Sequence, residues 1–216
     1  MSHVISMKTA TMSRILAYLP VAGELTDNQE RVLGIIREHA RAGQASLDHE
    51  GIDWGITVPE ALEHLLAGRP EATGPYVGNA YYTALQNIIE CHGSDPTDVG
   101  VYSKPSTFFG LLDEELAGLG VPADLLPHGF LYAGVPEEIP FPIPSPLDGY
   151  PAIGHLPMAR LKEVIDAYNA VLDRLDGSFT YDLKQLLELL QVEYDELQTS
   201  LKYGHAPDAI LFWIQG

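Results

Sequence analysis

A single cysteine, Cys91, stands in the 216 residues, so no internal disulfide forms and a small secreted scaffold built on bridges is excluded. Basic residues are scarce too. Twelve Lys and Arg face 30 Asp and Glu, a formal net charge of −18, and between Arg69 and Arg160 the only cation is Lys104 against eleven carboxylates. A surface of this sign repels phosphate backbones, so nucleic acid is not an expected partner, and anionic membranes are equally poor ones. Long apolar runs are missing: no stretch reaches 18 residues, and no membrane span is expected. Met1–Lys8 has neither the basic start nor the cleavage site of a signal peptide, and there is no Asn-x-Ser/Thr acceptor. Together these absences point to a reducing, cytoplasmic setting.

What is present suffices for a core, since 46% of the chain is hydrophobic and 19% charged. Helices come with clear punctuation. Thr26-Asp27-Asn28-Gln29 has the form of a capping box, with Val32, Ile35, Ile36, His39 and Ala40 following at helical spacing, and predicts a helix over about 27–48. Thr57-Val58-Pro59-Glu60 repeats that signature ahead of Ala61, Leu62, Leu65 and Leu66, and Gly68 ends the helix. Further helices are expected from about Asn79 to His92, from Ser106 to Gly118–Gly120, and in two long closing segments, Pro157–Leu175 and Tyr181–Tyr203, ended by Gly177 and Gly204. Strands are expected only at Val4–Met7, Ile153–Leu156 and Ala209–Ile214. The fold class that follows is α+β, a mostly helical single domain over 1–216 with a small sheet that includes the N- and C-terminal strands. Six prolines between Pro136 and Pro151 fix an extended path, and Ile139, Phe141, Ile143 and Leu147 between them favour a surface strap over a free linker.

The common catalytic signatures are missing. Gly118-Leu119-Gly120-Val121-Pro122-Ala123 follows a helix rather than a strand and reads as a helix terminator. There is no phosphate-binding loop, no nucleophile elbow and no paired-histidine zinc helix. The eight histidines, at 3, 39, 49, 64, 92, 128, 155 and 205, are scattered. Asp48-His49-Glu50 with Asp53, and Glu60 with His64, come nearest to ligand clusters but read as surface groups, so neither metal nor cofactor is expected. Cys91 and His92 point about 100° apart on a helix and read as structural.

One constellation is richer. Tyr76, Asn79, Tyr81 and Tyr82 gather at a helix start, Asp53-Trp54 precedes the helix before it, and Asp148-Gly149-Tyr150 precedes a predicted strand. Aromatic and amide groups near helix starts line recognition pockets as readily as they pack helices. Asp53, Trp54, His64, Tyr76, Asn79, Tyr81, Asp148 and His155 are therefore the candidate ligand-binding residues. Asp113, Glu114 and Glu115 are the candidate residues for a basic protein partner.

These residues also carry a resemblance. Asp53-Trp54, Leu62-Glu63-His64-Leu65-Leu66-Ala67-Gly68, Tyr81-Tyr82-Thr83-Ala84-Leu85, Asp148-Gly149-Tyr150-Pro151-Ala152-Ile153-Gly154 and the closing helix and apolar strand together look like a bacterial domain family of unknown function. More distantly, the Leu-x-His-Leu-Leu-Ala-Gly element and the helix-then-strand ending are similar to YfbM-like proteins. That resemblance implies a small sheet with flanking helices and brings no catalytic residues. Two functional expectations result. The first is a non-enzymatic binding or regulatory protein, of immunity or antitoxin type, whose acidic surface meets a basic protein. The second is a small enzyme or ligand-binding protein with an aromatic, acidic and His-lined pocket.

Overall fold

The structure, a computed structural model, describes residues 2–20, 24–204 and 206–215; Met1 and His205 of the segments discussed above lie outside them. In chain order the elements are β1 (His3–Ala10), α1 (Met12–Leu16), α2 (Asp27–Glu50), α3 (Val58–Leu66), α4 (Val77–Glu90), β2 (Thr97–Tyr102), α5 (Pro105–Gly118), α6 (Pro127–Leu131), β3 (Ala152–Pro157), α7 (Leu161–Asn169), α8 (Gly177–Lys202) and β4 (Ala209–Gln215). Short 3-10 turns lie at Ala123–Leu125, Met158–Arg160 and Leu172–Arg174. The fold is α+β and mostly helical, with the N- and C-terminal strands in one small sheet, as the sequence predicts.

The sheet runs β2-β1-β4-β3. β1 and β4 pair antiparallel without a slip from Val4↔Gln215 to Ala10↔Ala209. Met158 N–H donates to Asp208 O at 2.9 Å, tying the end of β3 to the start of β4. β4 is buried from Ala209 to Ile214, so its continuous apolar run is explained by cover on both faces. Leu211, Phe212 and Trp213 are buried, at 0%, 0% and 3% exposure. Burying each of these side chains stabilises the fold by about 2 kcal/mol.

β2 was not visible in the sequence. Only Val99 of its six residues is buried, Asp98 and Gly100 are poor strand formers, and a bulge interrupts its pairing between Ile5 and Ser6. The short helices α1 and α6 were likewise unforeseen. The segment 157–175 is not one long helix. It tightens after Asn169, a poor helix former, into the turn at Leu172–Arg174, leaving Val171 and Leu175 buried on either side. Gly177 opens α8 instead of ending its predecessor, because the Asp176 carboxylate accepts the Ser178 N–H at 2.8 Å and caps the new helix.

The chain divides into two compact units, neither continuous in sequence: Met1–Ala10, Ser94–Ala133 and Gly154–Gly216 form the first, Thr11–Gly93 and Gly134–Ile153 the second. In the first, Tyr102, Phe108, Phe109 and Phe179 stack with ring centroids 5.1–5.6 Å apart, joining β2, α5 and the start of α8. Tyr168 on α7, fully buried, donates to Leu125 O at 2.6 Å. Gly154 lets the end of α6 approach β3, since a Cβ there would fall on the carbonyls of Phe130 and Leu131.

In the second unit α4 is the centre, buried along its length except at Thr83 and Glu90, and it packs against α2 and α3. α2 presents Leu33, Ile36 and Ala40 inward; Ile35, expected on that face, is 44% exposed. The proline-rich segment holds neither helix nor strand. Ile139 and Pro146 are buried and Phe141 and Ile143 half-buried, but Leu147 is 64% exposed because the turn closed by Gly149 N–H on Pro146 O turns it outward. The segment approaches α4 at Gly78, whose missing side chain leaves room for the carbonyl of Ser145.

Candidate functional site

Two ties set α3 against α2. Thr57 caps α3 and forms the predicted capping box with Glu60, while Val58 N–H donates to Gln44 Oε1 of α2 at 2.9 Å. One turn along, Arg37 Nε and Nη2 donate to Glu63 Oε1 and Oε2 at 2.7 and 3.1 Å, a bidentate pair that raises the guanidinium pKa above its ordinary value. The Thr57 hydroxyl and amide hold the Glu60 carboxyl below the usual carboxylate range.

Between these ties opens a cavity of about 350 Å³ lined by Arg37, Arg41, Pro59, Glu60, Leu62, Glu63 and His64. A second, of about 240 Å³, shares Glu60 and is walled by Asp53, Trp54 and Gln44. His64 is fixed from behind. The Tyr81 hydroxyl, on a fully buried ring, accepts Ala72 N–H at 3.0 Å and lies 2.9 Å from His64 Nδ1. Burial raises the Tyr81 pKa, so the hydroxyl keeps its proton. Ala72 N–H can only donate, which leaves the hydroxyl its own proton to offer Nδ1, the arrangement in which the imidazole N–H is at Nε2.

The other predicted residues are spread more widely. Asp53 Oδ1 accepts Gly55 N–H at 2.8 Å and shapes the loop before α3. Asn79, 5% exposed, donates through Nδ2 to Tyr150 O at 2.8 Å, and Asp148 Oδ1 accepts Tyr150 N–H at 3.2 Å, so these two meet through the proline-rich segment. Tyr76 is 45% exposed and its side chain forms no hydrogen bond among the described residues. His155 lies on β3 in the first unit, whereas the other seven belong to the second. Arg37, Arg41 and Gln44 were not foreseen. Their spacing marks one face of α2, but only the folded chain shows that α3 lies along it.

In the first unit, Asp113 is half-buried and accepts the backbone N–H of His128 at 3.0 Å, and burial raises its carboxyl pKa. Glu114 is exposed and Glu115 half-exposed. His128 Nε2 lies 3.1 Å from Ser106 Oγ, and its ring stacks on Tyr132 at 4.5 Å. Serine, imidazole and carboxylate are thus neighbours. Asp113 bonds the backbone rather than the ring, so the orienting member of a catalytic triad is not in place.

Cys91 Sγ lies 3.8 Å from Nδ1 of His39, on another helix, while its sequence neighbour His92 turns Nδ1 to Ile88 O at 2.6 Å. Among the described residues, no three His, Cys, Asp or Glu side chains gather as a metal site, and no helix is long and apolar enough to cross a membrane. The carboxylates and cations divide as sixteen and seven in the first unit and fourteen and five in the second. Among the described residues, Arg37 pairs with Glu63, Arg69 with Glu71, Arg160 with Asp124 and Glu163, and Lys162 with Asp166. No curated protein and no solved structure matches this chain. Residues 1–214 match the family described as Domain of unknown function (DUF7691), and the chain belongs to that family.

Proposed function

We propose that this chain is a non-enzymatic, cytoplasmic binding or regulatory protein of the immunity or antitoxin kind, which covers a basic protein partner with its acidic surface. The observation that supports this reading is the carboxylate excess in each unit separately, sixteen against seven and fourteen against five. A charge excess of one sign steers a cationic protein inward over a Debye length, about 8 Å at physiological ionic strength, and turns nucleic acid and anionic membranes away. The similarity to YfbM-like proteins, in the Leu62–Gly68 element and the α8-then-β4 ending, goes with this reading, as does a bacterial origin. On α5, Glu114 and Glu115 are the groups assigned to the partner in this reading, while Asp113 accepts the backbone N–H of His128.

The test is capture of the partner from the native host, followed by binding kinetics at two salt concentrations. Added salt slows association, and Glu114→Lys with Glu115→Lys slows it more than it speeds dissociation. A partner held with no salt dependence, or one that is itself acidic, overturns the proposal.

A further inference from the structure

The cavity between α2 and α3 has a chemistry separate from the acidic surface. Of the four charged side chains that line it, three are committed to one another or to the backbone. Both Glu63 oxygens accept from Arg37, and Glu60 Oε2 accepts the Thr57 amide at 3.1 Å and hydroxyl at 2.7 Å. Arg41 alone forms no hydrogen bond or ion pair among the described residues, in a chain with 30 carboxylates to choose from. His64 supplies a second uncommitted donor. Its Nδ1 lies 2.9 Å from the Tyr81 hydroxyl, and with that hydroxyl donating, the imidazole N–H is at Nε2, the nitrogen on the side of the ring away from Tyr81. Pro59, half-buried, completes the lining with apolar surface, with Leu62 fully buried behind it.

We propose that this cavity binds a small organic monoanion, a carboxylate on an apolar body, with its charged end held by Arg41 and the Nε2–H of His64 and its body against Pro59. One guanidinium and one further N–H donor match a single negative charge. A phosphate dianion would meet the same donors with the Glu60 and Glu63 carboxylates close by, and would leave the apolar wall unused. The volume of about 350 Å³ is at the lower end of ordinary small-molecule sites.

The probes are 4-phenylbutyrate and its uncharged amide, 4-phenylbutanamide, titrated into the full chain by calorimetry and ligand-detected NMR. The carboxylate is expected to bind with a dissociation constant of about 1 mM or lower, at least about tenfold tighter than the amide. Arg41→Ala removes that discrimination without lowering the melting temperature, because the side chain supports nothing else. His64→Phe, which keeps an aromatic ring, weakens the carboxylate severalfold and leaves the amide unchanged. Equal binding of the two probes, no binding of either, or an Arg41→Ala protein that still prefers the carboxylate would each overturn the proposal.

Discussion

The hydroxyl of Tyr81 lies 2.9 Å from Nδ1 of His64, and the same oxygen accepts the amide of Ala72 at 3.0 Å. One buried atom thereby ties α4, the end of α3 and the loop between them. Tyr81→Phe keeps the ring packing but leaves the Ala72 amide without its acceptor. It is expected to cost about 1–3 kcal/mol, seen as a lower midpoint in denaturant with an unchanged slope. A midpoint within error of the parent would show that water replaces the hydroxyl.

Glu193 occupies a core position in the stripe Leu183, Leu186, Leu187, Leu190 of α8, 7% exposed, with Oε2 buried and without a hydrogen-bond partner among the described residues. Burial, and then the charge of Glu196, raise its pKa. A folded-state pKa above the unfolded one means that the stability tied to its proton is full below about pH 4.3 and is lost as pH rises through the folded value. Glu193→Met should therefore be more stable than the parent at pH 7, by about 1 kcal/mol, with the gap closing towards pH 4. Melting curves at the two pH values check this, and a gap that widens on acidification would contradict it.

Two helical glycines give opposite outcomes. At Gly34 on α2 an added Cβ meets nothing within 4 Å, so Gly34→Ala should stabilise by about 0.5–1 kcal/mol. At Gly78 on α4 the Cβ falls on the Ser145 carbonyl, and Gly78→Ala should destabilise by about 1–3 kcal/mol as the proline-rich segment is pushed away. Thermal melts of the pair decide the matter, with Gly34→Ala as the internal control for helix propensity.

Deletion of residues 209–216 removes an interior strand of the sheet and leaves β1 and β3 with no neighbour between them. Loss of the cooperative transition is the expected result. A truncated protein that melts as the parent does would show that β4 is dispensable to the sheet.

Helices α2 and α3 were legible because their signals are local. Thr26 with Gln29 and Thr57 with Glu60 form their capping boxes within four residues, and both are seen in the structure. β4 was legible from its unbroken apolar run. β2 was not, because a strand that buries only Val99 owes its place to pairing with β1 rather than to its own sequence. The candidate site follows the same division. His64, Asp53 and Trp54 were singled out from helix starts and aromatic content, and they do line cavities of the second unit. Arg37 and Arg41 were passed over because their significance depends on α3 lying alongside, and His155 was grouped with residues of the other unit because nothing local marks where the chain passes from one to the other.

The pairing of β1 with β4 also bears on how the molecule is made. β1 precedes every helix described here, yet its partners from Val4 to Ala10 are Gln215 to Ala209, which follow them all. While α2, α3 and α4 can close on one another from neighbouring stretches of chain, Ile5 and Met7 stay without their β4 neighbours until all of those helices have been made. Assembly of the sheet is thus set by long-range closure, the slow kind of contact, and the interval before it is the time when this chain depends most on a chaperone to keep an apolar strand from pairing elsewhere.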